Sequence, residues 1–357
     1  MAKRMKEEKA KKNIGFSAFN LQSGDMVIDL GSKNTCLYVK DKGVVMHEQS
    51  CVAIDTLSGA VVAAGSEAYE MAGKTSENIS VEFPIKNGGV ADVEVASAML
   101  KFFIKKYVGT GFVAKPRVIL TVPSAINEVE RIAVEAAAKN AGADIVELIE
   151  YPLAAALGTE KAVSSSKGAM FISMGAGITE CAVICAGDVV TSTSVRRGGE
   201  NIDKEIVRLL RRKYGINIGL QTAEKIKKEI GSVYPEEALL GAFVEARGRS
   251  VAEGIPKAIS LHADEVRPLC AQCVQDVVNI IKDTVEKTSA ELVSDIMDTG
   301  VIVAGGASLI KGLDKYIESE TGLNVYYAKD TFFCAVEGAG KAMDIVFDKR
   351  DLRKNGK

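Results

Sequence analysis

Apolar positions along the chain follow two patterns that alternate. Short strand-type runs occupy 26–29, 36–39, 44–46, 52–54 and 61–64. Over 95–107 the apolar residues recur every three or four positions, which predicts an amphipathic helix. A buried-strand run follows at 117–122, closed by Pro123. A helix is predicted from Asn127, where Asn127 and Glu130 have the spacing of a capping box, to a stop near Gly142. A strand at 144–149 leads to Tyr151, Pro152 and an Ala-rich helix over 153–157. The pattern then restarts, with strands at 169–173 and 181–185 around a glycine turn, and a polar helical stretch over 201–232. A last strand, 300–304, runs into Gly305 and Gly306, and Ser308 is placed to cap a helix holding Leu309, Ile310 and Leu313. Strands alternating with helices predict α/β layers.

The restart is a weak duplication. The segment IDLGSKNT (28–35) lies over ISMGAGIT (172–179), and Ile28, Gly31 and Thr35 match Ile172, Gly175 and Thr179 at a constant offset of 144 residues. Two halves fit a length of 357 residues, which as a prior is about two domains.

Charge changes the picture at one end. The formal net charge is −2, and this near-balance argues against a dedicated nucleic-acid binder. Residues 1–24, however, hold six basic side chains against Glu7 and Glu8, leaving the rest acidic. Ile14, Phe16, Phe19 and Leu21 follow the basic cluster. The segment reads as a solvated tail, or as one lying on an anionic membrane surface. It lacks the apolar core of a secretory signal, and no apolar run reaches the roughly 18 residues of a spanning helix. The seven cysteines are odd in number and scattered, as expected for free thiols in a reducing compartment, and a cytoplasmic location is expected. Cys270 and Cys273 form a CxxC without a second pair, read as thiols near the buried face of a helix.

Candidate chemistry sits at three glycine turns after strands: Gly31, Gly175 with Gly177, and Gly305 with Gly306. Such turns aim backbone N–H groups into a small volume and suit phosphate oxygens. Asp29 beside the first turn reads equally as a ligand of hydrated Mg²⁺ or as a turn-forming residue. Neither GxGxxG nor GxxxxGK[ST] occurs, and two histidines define no nucleophilic triad.

Taken in order, IDLGSKNT (28–35), PIKNGGVAD (84–92), PRV (116–118), LIEYPLAAA (148–156), TAEKIKKEIG (222–231), ELVSDI (291–296) and AGGASLIKGLD (304–314) resemble the MreB family of bacterial actins. The resemblance covers about residues 25–347. It implies a two-lobed, actin-like α/β fold of two related ribonuclease-H-like halves, each with a smaller inserted subdomain. The expected division is lobe I, 25–165 plus 335–350, with its small subdomain at about 53–85, and lobe II, 166–334, with its own at about 202–265. A basic extension (1–24) and a polar tail (351–357) flank them. It implies ATP and Mg²⁺ in the cleft, with Asp29 toward the metal. Gly31, Ser32, Lys33 and Asn34 would hold the terminal phosphates, and Gly175, Ala176, Gly177 and Thr179 the others. Glu224 and Lys227 would face ribose and adenine, while Gly305, Gly306 and Ala307 would pass close to the nucleotide. It further implies a cell-shape-determining subunit of filaments on the inner membrane face. Its partners would be further copies of itself or MreB paralogues, and cell-wall elongation machinery.

Departures from the family fall on chemistry. Tyr151 stands where the family has its hydrolytic Glu, Ser173 replaces an Asp that organises metal and water, and Ile178 replaces a hydroxyl residue near the attacking water. Ala176 and Ala307 replace glycines. A phenol is a poor base at neutral pH, so weak or lost hydrolysis is expected; an active polymerising ATPase is the alternative. A sugar kinase lacks an identifiable base, and a chaperone would need a further domain after the match. The loop around Phe112 and Val113, flanked by Lys105, Lys106 and Lys115, resembles a membrane-dipping loop of related proteins.

Overall fold

The structure, a computed structural model, describes residues 24–109, 115–159 and 166–348. In the first half the order is β1 (Met26–Leu30), β2 (Asn34–Val39), β3 (Gly43–Gln49), β4 (Val52–Asp55), β5 (Val61–Ala64), α1 (Ser66–Met71), β6 (Ile79–Glu82), β7 (Ile85–Lys86) and β8 (Gly89–Val90). Then come α2 (Val93–Phe103), β9 (Arg117–Val122), α3 (Glu128–Asn140), β10 (Ile145–Glu150) and α4 (Tyr151–Gly158). The second half begins with β11 (Ala169–Met174), β12 (Thr179–Cys185), β13 (Asp188–Val195), α5 (Gly199–Leu209), β14 (Ile216–Asn217) and α6 (Leu220–Ile230). It continues with β15 (Phe243–Ser250), β16 (Pro256–His262), α7 (Ala263–Glu286), α8 (Ala290–Thr299), β17 (Val301–Ala304), α9 (Leu313–Thr321), β18 (Val325–Tyr327) and α10 (Cys334–Lys341).

Two five-stranded sheets carry the halves, in the orders β10-β9-β1-β2-β3 and β18-β17-β11-β12-β13. β1 pairs antiparallel with β2 and parallel with β9, as β11 does with β12 and β17. The duplication therefore extends beyond the hairpins to the whole sheet. It reaches single hydrogen bonds, because Gly31 N–H donates to Asn34 O at 3.0 Å and Gly175 N–H to Ile178 O at 2.9 Å. A three-stranded sheet, β5-β4-β6, belongs to the first half and another, β14-β15-β16, to the second.

Alternation along the central strands splits the core. Ile28 and Ile172 face the separate cores of their own halves. Val27 and Phe171 face a third core, shared between the halves and filled by α4 and α10 (Ala154, Ala155, Ala156, Ala335, Ala339). These two helices meet backbone to backbone. A Cβ on Gly158 would lie 1.8 Å from Cys334 O, and one on Gly338 would lie 1.9 Å from Ala154 O.

Two local expectations change. The polar stretch at 201–232 is two helices, α5 and α6, because Gly215 turns left-handed (φ 65°) and β14 joins the small sheet. Ser308 caps no helix: its hydroxyl donates to Gly305 O at 2.6 Å within a 3-10 turn, and α9 starts only after Gly312. The Asn127 capping box is present as expected. No described helix is long and apolar enough to cross a membrane.

Candidate functional site

The two matching hairpins face each other across a cavity of about 420 Å³, a size typical of small-molecule sites. From the first half it is lined by Asp29, Gly31, Ser32, Lys33, Asn34 and Tyr151. The second half supplies Ser173, Gly175, Ala176, Gly177, Ile178, Glu224, Lys227, Gly305, Gly306 and Ala307. The sequence singled out each of these from separate segments, and the fold gathers them. Gly305 is the turn that most needs glycine. It sits at φ +89°, and a Cβ there would lie 2.5 Å from Met174 O.

Other candidates lie elsewhere. Thr179 does not line the cavity; its buried hydroxyl donates to Arg197 O at 2.8 Å. Phe112, Val113 and the extension at 1–23 lie outside the described residues. Cys270 and Cys273 are free thiols on α7, Cys270 fully buried, in keeping with the plain reading of that pair.

Asp29 ends a buried strand, and burial pushes its carboxyl up to about 6, although the Thr121 hydroxyl, 2.5 Å away, favours the charged form. A carboxyl in this state gains from a nearby cation, which would draw it back to the charged form. Among the described residues no three His, Cys, Asp or Glu side chains gather into a metal site. One carboxylate with adjacent hydroxyls fits Mg²⁺ that arrives on phosphates and keeps its waters, rather than a metal caged by protein.

Tyr151 is chemically quiet. Burial drives the Tyr151 phenol well above its ordinary range; the neighbouring Cys334 and Asp29 add to the shift, and a hydrogen bond with Ser173 opposes it. Glu150, the residue before it, does not line the cavity.

A polar group crosses the cleft mouth. Lys33 Nζ donates to the Tyr69 hydroxyl at 2.6 Å and pairs with Glu224 at 3.0 Å, and the Tyr69 hydroxyl donates to Glu224 at 2.9 Å. Burial alone would raise the Glu224 carboxyl, but the Lys33 and Lys228 ammonium groups outweigh it and hold the carboxyl at about 2. Lys227 is anchored to Asp203 at 2.8 Å and to Gly199 O at 2.9 Å.

Sequence reasoning missed Glu180. It lines the cavity and is only 2% exposed. Burial pushes its carboxyl up to about 7, against the Ser124 N–H that donates to it at 2.8 Å. A signal was available: Glu180 is a lone charge inside the apolar run of β12, and it sits 144 residues after Cys36.

Comparisons with known proteins agree in direction. The family model described as MreB/Mbl protein matches residues 23–350. Cell shape-determining protein MreB of Escherichia coli strain K12 is 41% identical over 329 residues, covering 91% of this chain and 94% of that protein. Mbl of Bacillus subtilis strain 168 is 39% identical, covering 92% and 98%. The crystal structure of MreB5 of Spiroplasma citri bound to ADP superposes with a TM-score of 0.86 at 31% identity, covering 93% of this chain and 99% of that one. At 18% identity, the MamK double helical filament shares the fold, with a TM-score of 0.75.

Proposed function

The chain belongs to the MreB/Mbl family, and from that premise we propose that it is an actin-like, cell-shape-determining filament subunit that binds ATP and hydrolyses it slowly. The observation that carries the nucleotide reading is the pair of equivalent glycine hairpins, one from each half, lining one cavity with Asp29 and Glu224. Glycine turns supply close backbone approach to phosphates. MreB5 of Spiroplasma citri, similar over nearly its whole length, is bound to ADP in one structure and AMPPNP in another. In this reading Asp29, with the Thr121 hydroxyl beside it, would hold Mg²⁺, which neutralises charge on the phosphates. Glu224 would serve the ribose once Lys33 releases it.

Slow hydrolysis follows from Tyr151, Ser173 and Ile178. A phenol that cannot ionise near neutral pH accepts no proton from water, and Ile178 makes no hydrogen bond. Losing a positioned base typically costs about 10²–10⁴-fold. The filament would lie at the inner membrane surface, with the basic extension and the Phe112–Val113 loop toward lipid. Its partners would be further copies or a paralogue, and the machinery of wall elongation. The lobe boundaries at 25–165 plus 335–350 and 166–334 belong to the same proposal.

Electron microscopy of the pure protein with Mg-ATP on a lipid layer tests polymerisation and attachment together; absence of filaments there and in solution would refute self-assembly. Phosphate release at the rate of a relative that keeps the glutamate would refute slow hydrolysis. Combining Tyr151→Glu, Ser173→Asp and Ile178→Thr should raise the rate by at least tenfold. Flotation with anionic liposomes should drop on Phe112→Ser with Val113→Ser.

A further inference from the structure

Glu180 has no part in the reading so far. It is a buried carboxylate that β12 of the second half turns into the cavity, and three observations locate its chemistry. The first is register. Asp29 pairs with Cys36 across β1 and β2, and Ser173 pairs with Glu180 across β11 and β12. Directly opposed residues in an antiparallel pair project to the same face. Cys36 and Glu180 are therefore the same position in the two halves, and the two central β-hairpins each turn one acid to the cavity: Asp29 from a first strand, Glu180 from a second. The second observation is the neighbourhood. Glu180 stands beside Ser173, which hydrogen-bonds Tyr151, so its side chain shares the cavity with both glycine hairpins, where the nucleotide reading above puts the phosphates. The third is support. One carboxyl oxygen accepts the Ser124 N–H from the loop after β9, across the cleft. No hydrogen bond reaches the other oxygen among the described residues. The Ser124 hydroxyl, on the residue that anchors Glu180, is buried without a hydrogen-bond partner, a setting that suits an ordered water.

We infer that Glu180 is the catalytic base of this cleft, taking the proton of the water that attacks the terminal phosphate of bound ATP. The inference rests on the nucleotide reading above. The water oxygen forms a bond to the terminal phosphorus. The bond from that phosphorus to the bridging oxygen breaks, and its electron pair leaves with the diphosphate. The water proton passes to the Glu180 carboxylate and from there to solvent or to the released phosphate. Substitution at Tyr151 thus moves the base from one half of the molecule to the other. Reaction through the second half remains slow, because Ile178 offers the water no hydrogen bond and Ser173 brings no charge.

Groups facing Glu180 define its pH behaviour. Glu150 of β10 is the charged residue that acts on it; Ser173 on β11 and Ser194 on β13 are uncharged, and Tyr151 of α4 stays neutral. A rate controlled by Glu180 therefore rises with pH to a plateau above about 7.

The experiment uses the full-length protein with saturating Mg-ATP and follows phosphate release from pH 5.5 to 8.5, with ATP affinity measured separately. Glu180→Gln should keep ATP affinity and lower the plateau rate at least about tenfold, leaving a profile without the step near pH 7. Glu180→Asp should restore part of the rate with the step. A Glu180→Gln protein that hydrolyses at the wild-type rate would overturn the inference. So would a wild-type protein that binds ATP and releases no phosphate, or a variant whose rate falls while the step near pH 7 persists. A wild-type protein that binds no ATP would instead overturn the nucleotide reading on which the inference stands.

Discussion

Single residues set the character of this cleft, and Glu180 and Tyr151 do so by burial. For Glu180 the folded value near 7 lies above its ordinary 4.5. The fold therefore holds the proton more tightly than the unfolded chain does. Below about pH 4.5 both states are protonated and nothing is lost. As pH rises to 7 the unfolded chain ionises first and stability falls; above 7 the penalty is constant, on the order of 3 kcal/mol. Glu180→Gln should match the wild type in urea unfolding at pH 4.5 and exceed it by up to about 3 kcal/mol at pH 8. The glycine turns stood out in the sequence because three of them follow apolar strands and two repeat at an offset of 144 residues, whereas Asp29 read equally as a turn-forming residue until the fold put it in the cavity. Glu180 did not stand out, since a lone charge in a strand gives no periodic signal and acquires its meaning only from the strand beside it. Thr179 shows the converse: its spacing suggested phosphate, but folding commits its hydroxyl to Arg197 O.

Among the elements, periodicity located the strands of the first five-stranded sheet, β11, β12 and β17 of the second, and the first-half helices α2, α3 and α4, but not the six-residue α1. It could not split 201–232, because α5 and α6 are both amphipathic and the break is set by a glycine turn and a two-residue strand. The box at Asn127 was legible because a cap is a local device. Asn127→Ala should cost about 1 kcal/mol in unfolding. The crossing of α4 and α10 was invisible for the opposite reason, since its glycines are needed for a partner helix distant in sequence. Gly338→Ala would push a methyl to 1.9 Å from Ala154 O. It should cost about 1–3 kcal/mol or more through overpacking, well beyond the loss at Asn127, in the same denaturation assay.

In the whole molecule the contacts that join the halves include the shared core around α4 and α10, the Glu180–Ser124 hydrogen bond, the Arg196–Glu130 ion pair and the Lys33–Tyr69–Glu224 cluster. The last ties the first glycine hairpin and α1 to α6, so on the proposed reading nucleotide entry would open it. Lys33→Ala should speed release of a fluorescent ATP analogue by about tenfold, the equivalent of one charged hydrogen bond, as followed by stopped flow. An unchanged release rate would mean that the cluster opens independently of the nucleotide.

The crossing of α4 and α10 has a mechanical consequence. Where two helices touch through glycine backbones, with mostly small side chains packed around the contact, rolling one on the other asks for little repacking. The joint resists separation, because the apolar surface on either side would be exposed to water, yet it is soft to twist. Torsion between the halves is therefore the compliant degree of freedom. On the proposed nucleotide reading, phosphates held by a hairpin from each side would stiffen that motion at the end of the lever arm opposite the bearing.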